Sequence, residues 1–396
     1  MRATASAVGS GVLLALASSC GGPAPAERPH VLLVSADALR ADHLSLNGYA
    51  RQTSPRIDAF ACEALDYAQM VTLLPKTGPS MATHLTGLAP CEHRVTANKL
   101  RIPDEVPTVA EALLAAGYRT AAFVSNPVLS ADKGFARGFE VYREIGEERA
   151  LPELNRRFLK WAEKHDWSQP TFVWLHYIDP HGPYTPPQEC AELFTGDELF
   201  AAETRRLRTS YDPLPGWPIN YCRDAIPSYQ LIDGEDRVAQ YVARYDAEIR
   251  HMDAHFGAVL DYLRGAGLYR RTAVILTADH GEALGERDYW FEHGWYADEA
   301  ALRIPMIVKP AGDSRPARSA SQVSNLDTAP TLLAAAGLAP FPGARGASLL
   351  ADPGARGALL IENTSTYPER YFGLRLPGRK YLREAQTGRE ELYDLA

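Results

Sequence analysis

The sequence predicts an α/β fold: a mostly parallel central sheet sandwiched by helices, followed by a small C-terminal α+β subdomain. Three observations carry this expectation. Short continuous apolar runs, such as His30–Ser35 and Thr171–Ile178, fit strands buried on both faces. These runs alternate with longer stretches whose apolar residues recur every three or four positions, the period of a helix. Acidic and histidine residues follow three of the strands, where the ligand crevice of a parallel sheet opens.

The first residues lie outside this pattern. Arg2, the apolar run Val12–Ala17 and the small residues before Cys20 have the form of a secretory signal. Cys20 resembles a bacterial lipobox cysteine, although Ala17 stands where leucine is usual. The expectation is a signal over 1–20, export to the periplasm or cell envelope, a lipid anchor on Cys20 and a tether over 21–29. A plain signal peptide with an incidental cysteine is the alternative. No later apolar run is long enough to span a bilayer.

The elements then follow in order. His30–Ser35 is the first strand and Asp37 stands just beyond it. Thr77-Gly78-Pro79 opens a helix, because Pro79 lacks an N–H that a first turn does not use. The Thr77 hydroxyl is thereby expected just before a helix N-terminus, where free N–H groups and the dipole favour an anion. An ordinary capping residue is the plainer reading. Val106–Ala116 reads as a helix ended by Gly117, Thr120–Ser125 as a strand and Leu151–Lys164 as a helix. Thr171–Ile178 is the next strand, followed by Asp179 and His181. The clearest helix spans Asp236–Arg264, with Val238, Val242, Tyr245, Ile249, Met252, Phe256 and Val259 on one face and Gly265 and Gly267 as its stop. Thr272–Thr277 is a strand leading into Asp279-His280-Gly281, and Ile304–Lys309 is another, ended by Pro310.

Residues 186–236 interrupt the alternation. Tyr211, Trp217, Tyr221 and Tyr229, with Pro213, Pro215 and Pro218, fit an ordered insertion that caps the site and sets specificity; a solvent-facing insertion is the alternative. The organisation expected is a catalytic domain over 30–340 and the small subdomain over 341–396.

Composition narrows the partners. A formal charge of −8 over 396 residues argues against nucleic acid or an anionic membrane surface as the main partner, leaving membrane association to the lipid anchor. Beyond Cys20 the chain has Cys62, Cys91, Cys190 and Cys222. An exported chain permits two disulfides, and Cys62–Cys91 with Cys190–Cys222 are the pairings of shortest span; buried free thiols are the alternative.

The candidate chemistry gathers at the strand ends. Asp37, Asp279 and His280, with the Thr77 oxygen, form a metal shell of oxygen and imidazole donors that suits zinc or manganese better than calcium. Metal contact would lower the pKa of the Thr77 hydroxyl and make it a nucleophile. Asp179, His181 and His293 could hold a second ion, or His181 could bond the substrate directly. His176 alternates with buried strand residues and reads equally as a core histidine or as support for the ligands.

With these residues in view, the chain from about His30 resembles the sulfatase-like hydrolases of the alkaline phosphatase superfamily. Val34–Leu44 is similar to the family's opening strand with its metal aspartate, and Thr77–Gly87 to its nucleophile helix. Leu175–Tyr184 resembles the central Pro-His-x-Pro segment, Thr277–Glu282 the second metal motif, and His293-Gly294 with Leu302–Pro305 the last active-site segment. Tyr381 and Glu391–Leu395 resemble the C-terminal small sheet. The resemblance implies a metal-dependent hydrolase of phosphate or sulfate esters, with one or two divalent ions and a small-molecule, glycan or lipid ester as substrate.

Four positions depart from the sulfatase pattern. Thr77 replaces the cysteine or serine that matures to formylglycine, so no formylglycine is expected. Met81 replaces an arginine, Ala38 the second opening aspartate and His293 a lysine. Threonine with Asp and His ligands is more similar to the superfamily's phosphodiesterases and phosphatases. The resemblance thus implies Thr77, His181 and His293 as the residues nearest the chemistry. The alternatives are transfer of a phosphate-bearing head group to a lipid or glycan, and a non-catalytic member of the fold.

Overall fold

The computed structural model describes residues 28–146, 150–209, 224–351, 354, 356–363 and 370–395. Cys20, the expected signal and most of the tether lie outside the described residues, as do Tyr211, Pro213, Pro215, Trp217, Pro218, Tyr221 and Cys222. No helix among the described residues is long and apolar enough to cross a membrane.

Fifteen strands form among the described residues. They are β1 (His30–Ala36), β2 (Leu65–Val71), β3 (Arg119–Val124), β4 (Val141–Glu144), β5 (Thr171–Tyr177), β6 (Thr272–Ala278), β7 (Ala283–Leu284), β8 (Trp290–Glu292), β9 (Arg303–Ile304), β10 (Met306–Lys309), β11 (Ala317–Ser324), β12 (Leu359–Glu362), β13 (Tyr371–Leu376), β14 (Arg379–Glu384) and β15 (Glu390–Asp394). The main sheet has the order β11-β2-β10-β6-β1-β5-β3-β4, with β9 paired to β2. From β6 to β4 all strands are parallel. Every residue of β1, β5 and β6 is buried, which is why their sequences are near-continuous apolar runs.

The other half of the sheet departs from the sequence reading. Ile304–Lys309, expected as one strand, is split at Pro305 into β9 and β10, because proline has no N–H for the ladder. β10 runs antiparallel to both β2 and β6. β2 and β11 went unrecognised because Asp66, Gln69, Ser319 and Gln322 break their apolar pattern, and β11 is an edge strand exposed over its first half. The subdomain expected from 341 is the four-stranded antiparallel sheet β12-β13-β14-β15, and its described residues carry no helix.

Helices cover both faces. The long helix is Val238–Gly265, and Tyr245, Ile249, Met252, Phe256 and Val259 on its inner face are fully buried. Burying each such side chain is worth about 1.5–3 kcal/mol. The helix after β2 is Thr77–Thr86, and all ten of its residues are buried. It starts one step earlier than expected: Thr77 is its first residue and Lys76 is the cap, with φ −151° and ψ 140° and no capping side-chain bond. Its end is Gly87 at φ 67°, a left-handed conformation that glycine adopts without cost from a Cβ.

The expected Cys62–Cys91 disulfide does not form: both are exposed free thiols on separate short helices, Cys62 capping Pro55–Ala61 and Cys91 within Pro90–His93. Short separation in sequence carried no information about separation in space. Cys190 is a half-buried free thiol.

Candidate active site

Sheet register builds the site. Ser35 of β1 lies level with His176 of β5 and Thr277 of β6, and Ala36 lies level with Tyr177 and Ala278. The residues following these three adjacent strands therefore emerge at one height. Asp37 leaves β1, Asp279 and His280 leave β6, and His176 points from the last turn of β5. The helix Thr77–Thr86 is bound to the same edge through Ser80, whose hydroxyl donates to the Asp279 carbonyl at 2.6 Å.

Asp37, Thr77, Asp279 and His280 converge there. His280 Nε2 lies 3.4 Å from Thr77 Oγ1, 3.7 Å from Asp37 Oδ1 and 3.4 Å from Asp279 Oδ2. His280 Nδ1 donates to the Gly281 carbonyl at 2.9 Å, so the lone pair of Nε2 faces the carboxylates. Asp279 Oδ1 accepts from the backbone N–H groups of Ala38 and His280 at 3.1 and 2.7 Å. His176 joins the group, its Nε2 being 3.5 Å from Asp37 Oδ2 while its Nδ1 meets Ser35 Oγ at 2.8 Å.

The electrostatics are those of a cation site. Burial pushes the Asp37 carboxyl up, but the imidazoles of His181, His176 and His280 outweigh it and hold Asp37 well below the usual carboxylate range. Burial and then the charge of Asp37 push Asp279 well up. The pair is thus stable with about one negative charge, and a second charge needs a counter-ion. Burial, against the pull of Asp37, lowers His280 to about 4, so its ring is neutral and free to ligate.

The donor set fits a divalent metal. Ligand atoms from Asp37, His176 and Asp279 lie within 4.8 Å of one another. Asp37 Oδ1, Asp279 Oδ2 and His176 Nε2 are all buried without a hydrogen-bond partner. Each such atom costs about 1–3 kcal/mol, and one cation satisfies all three.

The residues expected to hold a second ion divide. His293 stacks on His280 with ring centroids 4.1 Å apart, and His181 meets His293 edge-on at 5.0 Å. His293 Nδ1 is held by Glu282 Oε1 at 2.9 Å, and Glu282 accepts from Tyr184 at 3.1 Å. Burial, then Lys76 and the two neighbouring rings, lowers His293 well below its usual value. Burial, then Glu292, pushes Glu282 well up. Asp179 pairs with Glu248 of the long helix, whose carboxyl is pushed well up by burial and then by Asp179. Asp179 follows β5 in sequence, but the chain has already turned toward the long helix.

The described part of the insertion reaches the site. Tyr229 and Gln230 both donate to the Phe291 carbonyl, at 3.0 and 3.2 Å, and the Tyr229 ring lies 6.3 Å from that of His181. A Cβ on Gly182 would lie 1.9 Å from the Gln230 side-chain amide, so a larger residue beside His181 would displace that amide from the Phe291 carbonyl.

Sequence reasoning passed over Asn126 and Lys76 and left His176 open between two readings. Asn126 donates to Asp37 Oδ2. His176 carried a signal, its place at the carboxyl end of a buried strand. Lys76 precedes Thr77 and donates to the His293 carbonyl at 3.2 Å. Asn98 accepts from Gly78 N–H at 2.9 Å and so supports the helix start. His93 is turned inward onto Thr83 at 3.0 Å, and His84 onto Thr328 at 2.8 Å. Met81 is fully buried in the core.

Comparison with known proteins agrees with this architecture. A sequence model described as Sulfatase matches residues 29–338. The choline-sulfatase of Rhizobium meliloti (strain 1021) is 23% identical over 78% of this chain and 68% of its own. The multifunctional alkaline phosphatase superfamily protein PehA of Trinickia caryophylli is 25% identical over 77% of this chain and 73% of its own. The phosphonate monoester hydrolase of Agrobacterium radiobacter superposes with a TM-score of 0.75 at 21% identity, covering 93% of this chain and 89% of that one. The match over most of the chain, in keeping with the helix Thr77–Thr86 set against a candidate cation site at the strand ends, shows that the chain belongs to the sulfatase family of ester hydrolases.

Proposed function

We propose that this chain is a metal-dependent hydrolase of phosphate esters in which Thr77 is the nucleophile. The observation that supports this most is the Thr77 hydroxyl, buried at a helix N-terminus 3.4 Å from His280 and facing Asp37 and Asp279. Asp37, Asp279 and His280, with His176 and the Thr77 oxygen, would hold one zinc or manganese ion. When bound, the ion supplies positive charge that acidifies the hydroxyl and offsets the charge of the transferred group.

The remaining chemistry belongs to the chain. The Thr77 hydroxyl gives its proton to water, Oγ attacks phosphorus in line, the bond to the leaving oxygen breaks, and the phosphoryl group is left on threonine. The positive end of the helix dipole favours the equatorial oxygens; the Gly78 N–H is taken by Asn98, Pro79 has none, and the Ser80 N–H meets the Lys76 carbonyl. His181, whose ring meets that of His293, is the residue we assign to protonate the leaving alcohol, and the neutral His293, oriented by Glu282, would hydrogen-bond the transferred group. Water then cleaves the phosphothreonine. A formylglycine route does not apply, because Cβ of threonine bears a methyl group and its oxidation gives a ketone rather than an aldehyde.

Relatives named for sulfate and phosphonate esters favour a small-molecule or glycan ester. We further read residues 30–340 as the catalytic domain, 341–396 as a smaller one, and the protein as exported and anchored through Cys20, on the strength of its N-terminal sequence. The test is metal content measured together with turnover of aryl phosphate, phosphodiester and sulfate substrates. Metal-free protein whose phosphate-ester turnover survives Thr77→Ala would end the proposal.

A further inference from the structure

The site contains a cation that no motif announces. Lys76 caps the nucleophile helix, and its Nζ donates to the carbonyl of His293, whose ring lies on His280. The lysine stem runs across Gly294. A Cβ there would approach Lys76 Cδ to 2.8 Å, and Gly294 sits at φ 88°, so this backbone is shaped to let the stem pass. The ammonium lies 4.0 Å from Glu292, whose carboxylate accepts from Tyr289 and from the His293 N–H at 3.2 and 3.1 Å.

Arg40 is bound to Asp42, Glu286 and the Glu282 carbonyl. The helix itself offers Met81, buried in the core, where a positive charge has no partner. Lys76 precedes Thr77 in the chain, and its ammonium is bound to the backbone of His293, whose ring stacks on His280, itself 3.4 Å from Thr77 Oγ1.

We propose that Lys76 holds a non-bridging oxygen of the transferred group and makes the site select dianionic phosphate monoesters over monoanionic diesters. A lysine ammonium is a compact point charge suited to a single phosphate oxygen. The inference rests on the hydrolase reading above and adds the substrate's charge class to it.

The test compares the full-length protein with Lys76→Met, Lys76→Arg and Glu292→Gln. Two quantities are measured: the ratio of kcat/KM for an aryl phosphate monoester to that for an aryl diester, and the affinity for inorganic phosphate by calorimetry. Lys76→Met should lower the ratio about 10- to 100-fold, the worth of one charged hydrogen bond. Phosphate affinity should fall by a similar factor, and Lys76→Arg should restore most of both. Glu292→Gln, which removes the nearby carboxylate and keeps Lys76, should leave the ratio unchanged. Equal losses on both esters with phosphate affinity intact would reduce Lys76 to a tether between the helix and the His293 backbone, and would overturn the inference while leaving the hydrolase reading in place. Absence of all ester turnover in the wild type would instead remove the reading beneath, and the phosphate arm would still decide whether Lys76 binds the anion.

Discussion

Asp279→Asn is the sharpest probe of the metal cluster, because it should move stability in opposite directions with and without metal. Asparagine keeps the Oδ1 acceptor used by Ala38 N–H and His280 N–H and replaces only Oδ2, the atom without a partner. In metal-free protein the change removes the repulsion between two carboxylates whose ligand atoms lie within 4.8 Å. At an effective dielectric near 20 that repulsion is about 3 kcal/mol. Unfolding entropy near 2.1 cal/mol/K per residue converts this to roughly 4 °C for a chain of this size. The sign follows from Asp279 itself. Its pKa is raised in the fold, so its contribution favours folding below the unfolded value and is lost as pH rises. Chelated Asp279→Asn should therefore unfold at a higher temperature than chelated wild type at pH 7, and the gap should close toward pH 4. Zinc or manganese at 1,000 times its Kd should stabilise the wild type by about 4 kcal/mol, and the variant by much less. Thermal unfolding in chelator and in added metal reads both arms. A chelated variant that melts below chelated wild type, or a wild type indifferent to metal, would refute the reasoning.

Three further outcomes are expected. Burial pushes Asp253 up to about 6 although it accepts from the N–H groups of Arg56 and Ile57, so its contribution is present below the unfolded value of 3.8 and is lost as pH rises through 6. Denaturant unfolding should show wild-type stability falling by about 2 kcal/mol relative to Asp253→Asn between pH 4 and pH 7. Gly294→Ala should cost about 1–2 kcal/mol from its left-handed backbone, with added loss from displacing Lys76, read as a lower unfolding midpoint. Met81→Ala should cost about 2–5 kcal/mol as a core cavity while metal content, measured by atomic spectroscopy, stays unchanged.

What the sequence disclosed depended on locality. Asp37, Thr77, Asp279 and His280 were readable because each stands immediately beside an element with a strong period, and parallel register brings such positions level. Asp179 satisfied the same rule, yet its partner is Glu248, remote in sequence on the long helix, and nothing local reveals that pairing. His176 was ambiguous because a buried strand histidine looks alike whether it faces a core or an ion. Lys76 escaped notice because the missing cation was sought at the position of Met81, one helical turn inside. β2 and β11 were lost because their polar residues sit at the sheet's flank, where burial is partial and the two-residue period is blurred.

The donors come from β6, β1 and β5, three strands that are neighbours in the middle of the sheet. Their spacing is therefore governed by consecutive ladder bonds rather than by surface segments. Remodelling the insertion or the C-terminal sheet should change which alcohol is accepted while leaving ion affinity almost untouched. On the proposed function, ion affinity would then be set by the sheet and could be varied separately from substrate range.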